Sequence, residues 1–246
     1  MLGLPDGVRA CLFDLDGVLT PTAAIHEAAW KEMFDAYLEE RSRGSGAPFV
    51  PFNQTDYERF VDGKPRADGV RSFLDSRGIR LPAGAPDDPP GAETVSGLGN
   101  RKNELFLAKI RAGGISPYPG SLRYLEAARD AGLRRAVVSS SANCRDIIRS
   151  AGIDSLLEVV VDGAVAAQLR LRGKPAPDTY LAAADKVGAS PSASAVFEDA
   201  LAGVDAGRAG AFGYVVGVDR VGQTEALKAH GAGIVVKDLA ELLSMP

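Results

Sequence analysis

Two aspartates separated by one residue, Asp14 and Asp16 in Phe13-Asp14-Leu15-Asp16-Gly17-Val18-Leu19-Thr20, are the side chains of this sequence best placed to do chemistry. They follow a short apolar run and precede a glycine, so they stand where a buried strand gives way to a loop. Carboxylates there can serve as nucleophile, as acid and base, or as hard metal ligands. They can equally cap the helix that follows. Three later segments weigh towards chemistry. Val137-Val138-Ser139-Ser140-Ser141 ends a run in hydroxyls that can donate to phosphate oxygens. Arg172-Gly173-Lys174-Pro175 sets a cation before a helix expected over 175–187, whose free N–H groups favour an anion. Phe197-Glu198-Asp199 ends another run in two acids. A lysine, a hydroxyl and four acids on one edge of a parallel sheet make up the inventory for Mg²⁺-assisted phosphoryl transfer.

The elements that must position these groups follow from periodicity. Short apolar runs at 9–14, 135–138, 195–197, 214–216 and 234–236 predict buried strands. Between them, helices are predicted over 121–131, 143–151, 175–187 and 200–209. Gly132, Gly152, Gly188 and Gly210 follow them, where a left-handed cap needs a residue without Cβ. Alternating β and α predicts an α/β fold: a Rossmann-like parallel sheet covered by helices on both faces. The rhythm breaks between Thr22 and Arg111, where apolar residues keep only helical spacing. The expected organisation is therefore a core formed by 1–20 and 112–246, interrupted by an α-helical insertion over 21–111. Within the insertion, 81–91 is too rich in Pro and Gly for regular structure.

Composition narrows the partners. The 246 residues carry 28 Lys/Arg against 32 Asp/Glu, a net charge of −4, which gives no broad attraction to nucleic acid or an anionic membrane. Two cysteines, Cys11 and Cys144, cannot build a disulfide framework. No run approaches the ~20 apolar residues that span a bilayer. No basic stretch followed by an apolar one marks a signal peptide at the N-terminus, so a cytoplasmic location is expected.

The four segments, in this order and with a helical insertion directly after the first, resemble the haloacid dehalogenase-like phosphotransferases with a C1 cap. Ile25-His26-x-x-x-Trp30 and Gly173-Lys174-Pro175-Ala176-Pro177-Asp178 bring the resemblance closest to the β-phosphoglucomutase-like members. The likeness runs from about Cys11 to Asp219. It implies Asp14 as the nucleophile that becomes an aspartyl phosphate, and Asp16 as general acid and base. It also implies one Mg²⁺ held by Asp14, the backbone carbonyl of Asp16, Asp199 and Glu198, with Ser139 and Lys174 gripping the transferring phosphoryl group. In the cap, His26 and Trp30 would belong to the hinge and substrate wall. Gly63 and Arg66 match the loop that binds a sugar's non-transferring phosphate, and Lys102 matches a second segment facing the site. Ser141 and Asn143 remain as further phosphate contacts, whereas Ala142 stands where relatives usually carry a basic residue. The cap insertion 81–96 is longer than relatives lead one to expect.

The activity implied is interconversion of β-D-glucose 1-phosphate and glucose 6-phosphate through a bisphosphate, with glucose 1,6-bisphosphate as activator or intermediate and a monomeric enzyme. A sugar-phosphate phosphatase using the same nucleophile is the alternative. A third reading, a receiver-like binding module, has acids and a lysine at strand ends but lacks such an insertion.

Overall fold

The computed structural model describes residues 2–46 and 48–245, with the side chain of Ser45 left aside. In chain order the strands are β1 (Ala10–Phe13), β2 (Arg134–Val138), β3 (Val159–Val161), β4 (Ser194–Glu198), β5 (Tyr214–Val218) and β6 (Ile234–Val236). The helices are α1 (Thr22–Ser45), a single turn α2 (Gln54–Asp56), α3 (Arg66–Ser76), α4 (Val95–Gly113), α5 (Pro119–Asp130), α6 (Cys144–Ser150), α7 (Gly163–Leu169), α8 (Asp178–Val187), α9 (Leu201–Ala209) and α10 (Thr224–His230). Two compact units result: 1–22, 63–65 and 115–246 form one, and 23–62 with 66–114 form the other.

The first unit is an α/β layer structure. Its six strands run parallel in the order β3-β2-β1-β4-β5-β6, with Phe13 opposite Val137 on one side and Phe197 on the other. Parallel pairing puts every strand's carboxyl end on one edge. The order reverses between β1 and β4, and such a switch point opens a crevice for ligands. Tyr180, Val196, Val204 and Leu227 belong to the core cluster that buries the strands. Phe13, Tyr124 and Phe197 form an aromatic trio with centroid separations of 4.5 to 6.2 Å.

The second unit is helical, with no strand among its described residues. Trp30, Phe34 and Tyr37 from α1 close on Phe52, on Val70, Phe73 and Leu74 from α3, and on Val95 and Leu98 from α4. The 3.6-residue spacing puts each set on one helix face, and burying aromatic side chains supplies the largest apolar area per residue.

Three sequence expectations change. Strand β3 and helix α7 lie where no element was expected. The helix expected from Pro175 begins at Asp178, with Pro177 as its N-cap, so Lys174 lies in the preceding loop and its charge is not tied to a helix N-terminus. Gly210 has φ −80°, and the left-handed residue is Ala211 at φ 53°. Gly210 is there for space: a Cβ would come within 2.5 Å of the Phe212 ring.

Candidate active site

The turn after β1 is built by its own backbone. Leu19 and Thr20 N–H groups both donate to Leu15 O at 3.0 Å, and Gly17 N donates to Thr20 O at 2.8 Å. Gly17 has φ +88°, and a Cβ on it would fall 1.8 Å from Asp199 Oδ2. Only glycine suits both the torsion and that close approach. The turn buries Asp14 and leaves Asp16 partly exposed. Thr22 Oγ1 donates to Asp16 Oδ1 at 2.5 Å, and Ser139 Oγ donates to Asp16 Oδ2 at 3.4 Å. Asp16 is thus held as an acceptor from Thr22 and Ser139.

Lys174 is the hub of the buried cluster. Its ammonium donates to Asp14 Oδ1 at 2.5 Å, to Glu198 Oε1, and to Val138 O at 3.4 Å, which uses its three donors. Burial works against the ammonium, but Asp14 and Glu198 outweigh it and raise its pKa, so Lys174 stays charged. Asp14 is raised well above the carboxylate range, chiefly by burial and then by repulsion from Glu198 and Asp16, against the pull of Lys174. Glu198 is fully buried: Oε1 accepts from Lys174 and from Tyr180 at 2.8 Å, and Oε2 accepts from Ala200 N at 3.1 Å. Two bonds fill the lone pairs of Oε1, leaving one on Oε2.

Asp14, Glu198 and Asp199 bring carboxylate oxygens within 4.8 Å of one another, all buried. Three hard oxygen donors so close repel one another, and Lys174 pairs with Asp14 and Glu198 among them. A divalent cation with oxygen preference fits this set.

The loop after β5 holds the site from behind. Asp219 Oδ1 accepts from the N–H groups of Val221, Gly222 and Gln223, and Oδ2 accepts from Thr224 Oγ1 at 2.5 Å. So anchored, Gln223 Nε2 donates to Asp199 O at 2.8 Å and Arg220 Nε donates to Gly17 O at 2.7 Å. Arg220 also stacks on Tyr118, 3.8 Å from its centroid. On the β2 side, Ser139 Oγ accepts from Ser141 N at 3.1 Å, Ser141 Oγ accepts from Asn143 N at 3.2 Å, and Ser140 Oγ donates to Gly63 O at 2.7 Å. Gly63, expected in the cap, clusters with the first unit.

Tyr180, Ser140, Asp219 and Arg220 are the support residues that sequence reading missed. Asp219 carried a signal, since it ends a strand just as Asp14 and Asp199 do. Tyr180 carried none, because a tyrosine on an apolar helix face reads as core.

In the second unit, His26 Nδ1 meets the Lys102 ammonium, and the His26 ring stacks on Phe106 at 3.9 Å. The same ammonium lies 4.9 Å from the Trp30 centroid and 5.0 Å from that of Phe106. Trp30 is buried and stacks on Phe34 at 5.3 Å, so it belongs to the cap core instead of forming an open wall. Arg66 donates to Asn103 Oδ1 at 2.8 Å and to Asn100 Oδ1 at 3.4 Å.

An acid-rich switch point in a parallel sheet, with a helical unit inserted after its first strand, defines a class, and the chain belongs to the haloacid dehalogenase-like hydrolase family, whose profile matches residues 8–210. Within it, the chain is 58% identical to a β-phosphoglucomutase of Mycobacterium bovis across 99% of this chain and 94% of that one. A crystal structure of β-phosphoglucomutase from Clostridium difficile superposes with a TM-score of 0.75 at 23% identity, covering 96% of this chain and 93% of that one. A hydrolase from Pseudomonas syringae gives 0.77 at 24% identity, covering 96% of each chain. At these identities the two structures speak for the fold alone. Among the described residues, no helix is long and apolar enough to cross a membrane.

Proposed function

We propose that this protein is a phosphosugar mutase that interconverts β-D-glucose 1-phosphate and glucose 6-phosphate through an aspartyl phosphate and a bisphosphate. The observation that supports the reading is a pair of neighbouring aspartates with distinct partners, Asp14 with Lys174 and Asp16 with Thr22 and Ser139, in a chain 58% identical to a β-phosphoglucomutase over nearly its whole length.

In the forward direction an Asp14 oxygen attacks the phosphorus of a bisphosphate and the bond to the sugar oxygen breaks. Asp16 gives its proton to that leaving oxygen. When the free 6-hydroxyl of an incoming β-glucose 1-phosphate attacks the aspartyl phosphate, Asp16 takes up that hydroxyl's proton, the bond from Asp14 to phosphorus breaks, and a new bisphosphate forms as Asp14 is released. Lys174 exchanges its bond to Asp14 for one to a phosphoryl oxygen, and Glu198 with Tyr180 keeps the ammonium in place. Ser139 donates to the same group. Asp14, Asp199, the Asp16 carbonyl and the remaining lone pair of Glu198 Oε2 would hold Mg²⁺, which supplies positive charge beside the phosphoryl oxygens when bound. Arg66 takes the phosphate that is not transferred, because a guanidinium fork suits a dianion. His26, Lys102, Ser141 and Asn143 complete the substrate contacts.

The test offers both anomers of glucose 1-phosphate with Mg²⁺, with and without catalytic glucose 1,6-bisphosphate, and follows glucose 6-phosphate and free phosphate separately. Bisphosphate-dependent glucose 6-phosphate from the β anomer supports the mutase. Free phosphate as the sole product converts the reading to a phosphatase that uses the same nucleophile.

A further inference from the structure

The Pro/Gly-rich stretch in the second unit is an ordered, closed loop. Its base is fastened where Val95 N donates to Pro82 O at 3.0 Å and Ser96 N donates to Ala83 O at 3.1 Å. Inside it, Asp88 N donates to Ala85 O at 3.0 Å, Ala92 N donates to Pro89 O at 2.8 Å, and Thr94 Oγ1 donates to Asp88 Oδ2 at 2.6 Å. Thr94 also caps α4, accepting from Gly97 N at 2.9 Å. Gly84, with φ +73°, turns the chain where a Cβ would come within 2.1 Å of the Asp88 carboxylate.

This loop is gripped by one side chain of α4. Asn100 Nδ2 donates to Pro86 O at 3.0 Å and to Asp88 O at 2.9 Å. Two carbonyl oxygens can only accept, so both amide protons are committed and the amide has one orientation. Its oxygen is then turned to Arg66 NH1, 3.4 Å away. Arg66 lies along the same helix: a Cβ on Gly99 would come within 3.1 Å of its Cδ, and NH2 donates to Asn103 one turn on. Arg66 makes no ion pair among the described residues, and its charge rests against two neutral amides. Burial lowers its pKa from the ordinary arginine value. A guanidinium held in place by neutral acceptors keeps its charge for an incoming anion; a carboxylate partner would spend it.

We propose that the 81–96 insertion is a positioning element for anion recognition: by taking both amide protons of Asn100 it fixes the acceptor that aims Arg66. Asn100 is the positioning residue, and the proposal rests on the reading of Arg66 as the contact to the non-transferring phosphate. The insertion thereby tunes affinity for substrates with a second phosphate and leaves the phosphoryl-transfer step to the other unit.

Three variants test it: Asn100→Ala; Asn100→Asp, which cannot donate to the loop and sets a charge against the guanidinium; and Arg66→Ala as reference. Each is assayed with glucose 1,6-bisphosphate as phosphoryl donor and with p-nitrophenyl phosphate, which has no second phosphate, after circular dichroism confirms folding. A hydrogen bond to a charged group sets the scale, so Asn100→Ala should raise KM for the bisphosphate about tenfold. Its loss of kcat/KM on the bisphosphate should exceed that on the aryl phosphate at least fivefold, and Asn100→Asp should do the same or more. Equal losses on the two substrates, or an unchanged bisphosphate KM in both Asn100 variants, overturn the positioning role. If Arg66→Ala raises the bisphosphate KM and the Asn100 variants do not, the loop proposal alone is lost. If Arg66→Ala is itself without preference between the substrates, the reading of Arg66 falls, and the loop proposal with it.

Discussion

Lys174 in the α/β unit and Arg66 in the helical unit are held in opposite ways. In the α/β unit, carboxylates crowd together and a lysine is spent among them: Asp14 and Glu198 share Lys174, and Asp199 lies within the same 4.8 Å cluster. In the helical unit, Arg66 rests on two neutral amides, whereas Lys31, Arg43, Arg71, Arg77 and Lys109 each pair with a nearby acid. The first arrangement demands positive charge or an electrophile, and the second demands an anion.

Removing the proposed nucleophile is the harshest test of the acidic side. Asp14→Asn should reduce kcat by ~10⁴-fold or more and abolish labelling of the protein by a radiolabelled phosphoryl donor. Retained turnover would end the covalent reading. Lys174→Met comes next, because it leaves two buried carboxylates facing each other. We expect ~10²–10³-fold lower kcat and a stability loss of about 3 kcal/mol, with thermal unfolding rising more steeply with Mg²⁺ concentration than in the wild type. A variant as stable as wild type, with the same Mg²⁺ response, would show that the lysine is not the counterion. On the cationic side, Arg66→Gln keeps hydrogen bonding and deletes charge. It should cost about 10–100-fold in kcat/KM on the bisphosphate at low salt, with the penalty shrinking as ionic strength rises. A salt-independent penalty would assign the loss to shape.

The smallest effect concerns pH. Burial raises the Asp219 carboxyl, but Thr224 and the N–H groups of Gln223, Gly222 and Val221 outweigh it and leave the pKa below the ordinary carboxylate value. A depressed folded pKa means stability fully present above the unfolded pKa and lost as pH falls through it towards the folded one. Asp219→Asn should therefore lower stability at pH 7 by about 1–2 kcal/mol and flatten the loss of stability below about pH 4. An unchanged acid limb in denaturant titrations would show that another carboxyl controls it.

Much of the placement of the candidate site was legible because acids and hydroxyls at the ends of apolar runs have few structural uses. Asp14, Ser139, Lys174 and the Glu198–Asp199 pair were found that way, and parallel pairing brought them to one edge. Strand β3 was not legible: three valines between Glu158 and Asp162 are too short a run to separate from a loop. Helix α8 was misjudged at its start because Pro175 resembles an N1 proline, although Pro177 is the residue next to the helix. The cap loop shows the converse case. Its composition correctly excluded regular structure, yet composition is silent on whether a loop is ordered, and here order comes from two protons of an amide fourteen and twelve residues downstream.

Gly203, in the first turn of α9, extends the site into a stretch that looks purely structural. A Cβ there would lie 1.9 Å from the Glu198 carboxyl carbon. The carboxylate that steadies Lys174 occupies the volume of a missing methyl group. In a saturation screen, this helix position should therefore be as intolerant as Asp14 itself. Substitutions there would be scored as folding defects, although the group they displace first is the counterion of the lysine.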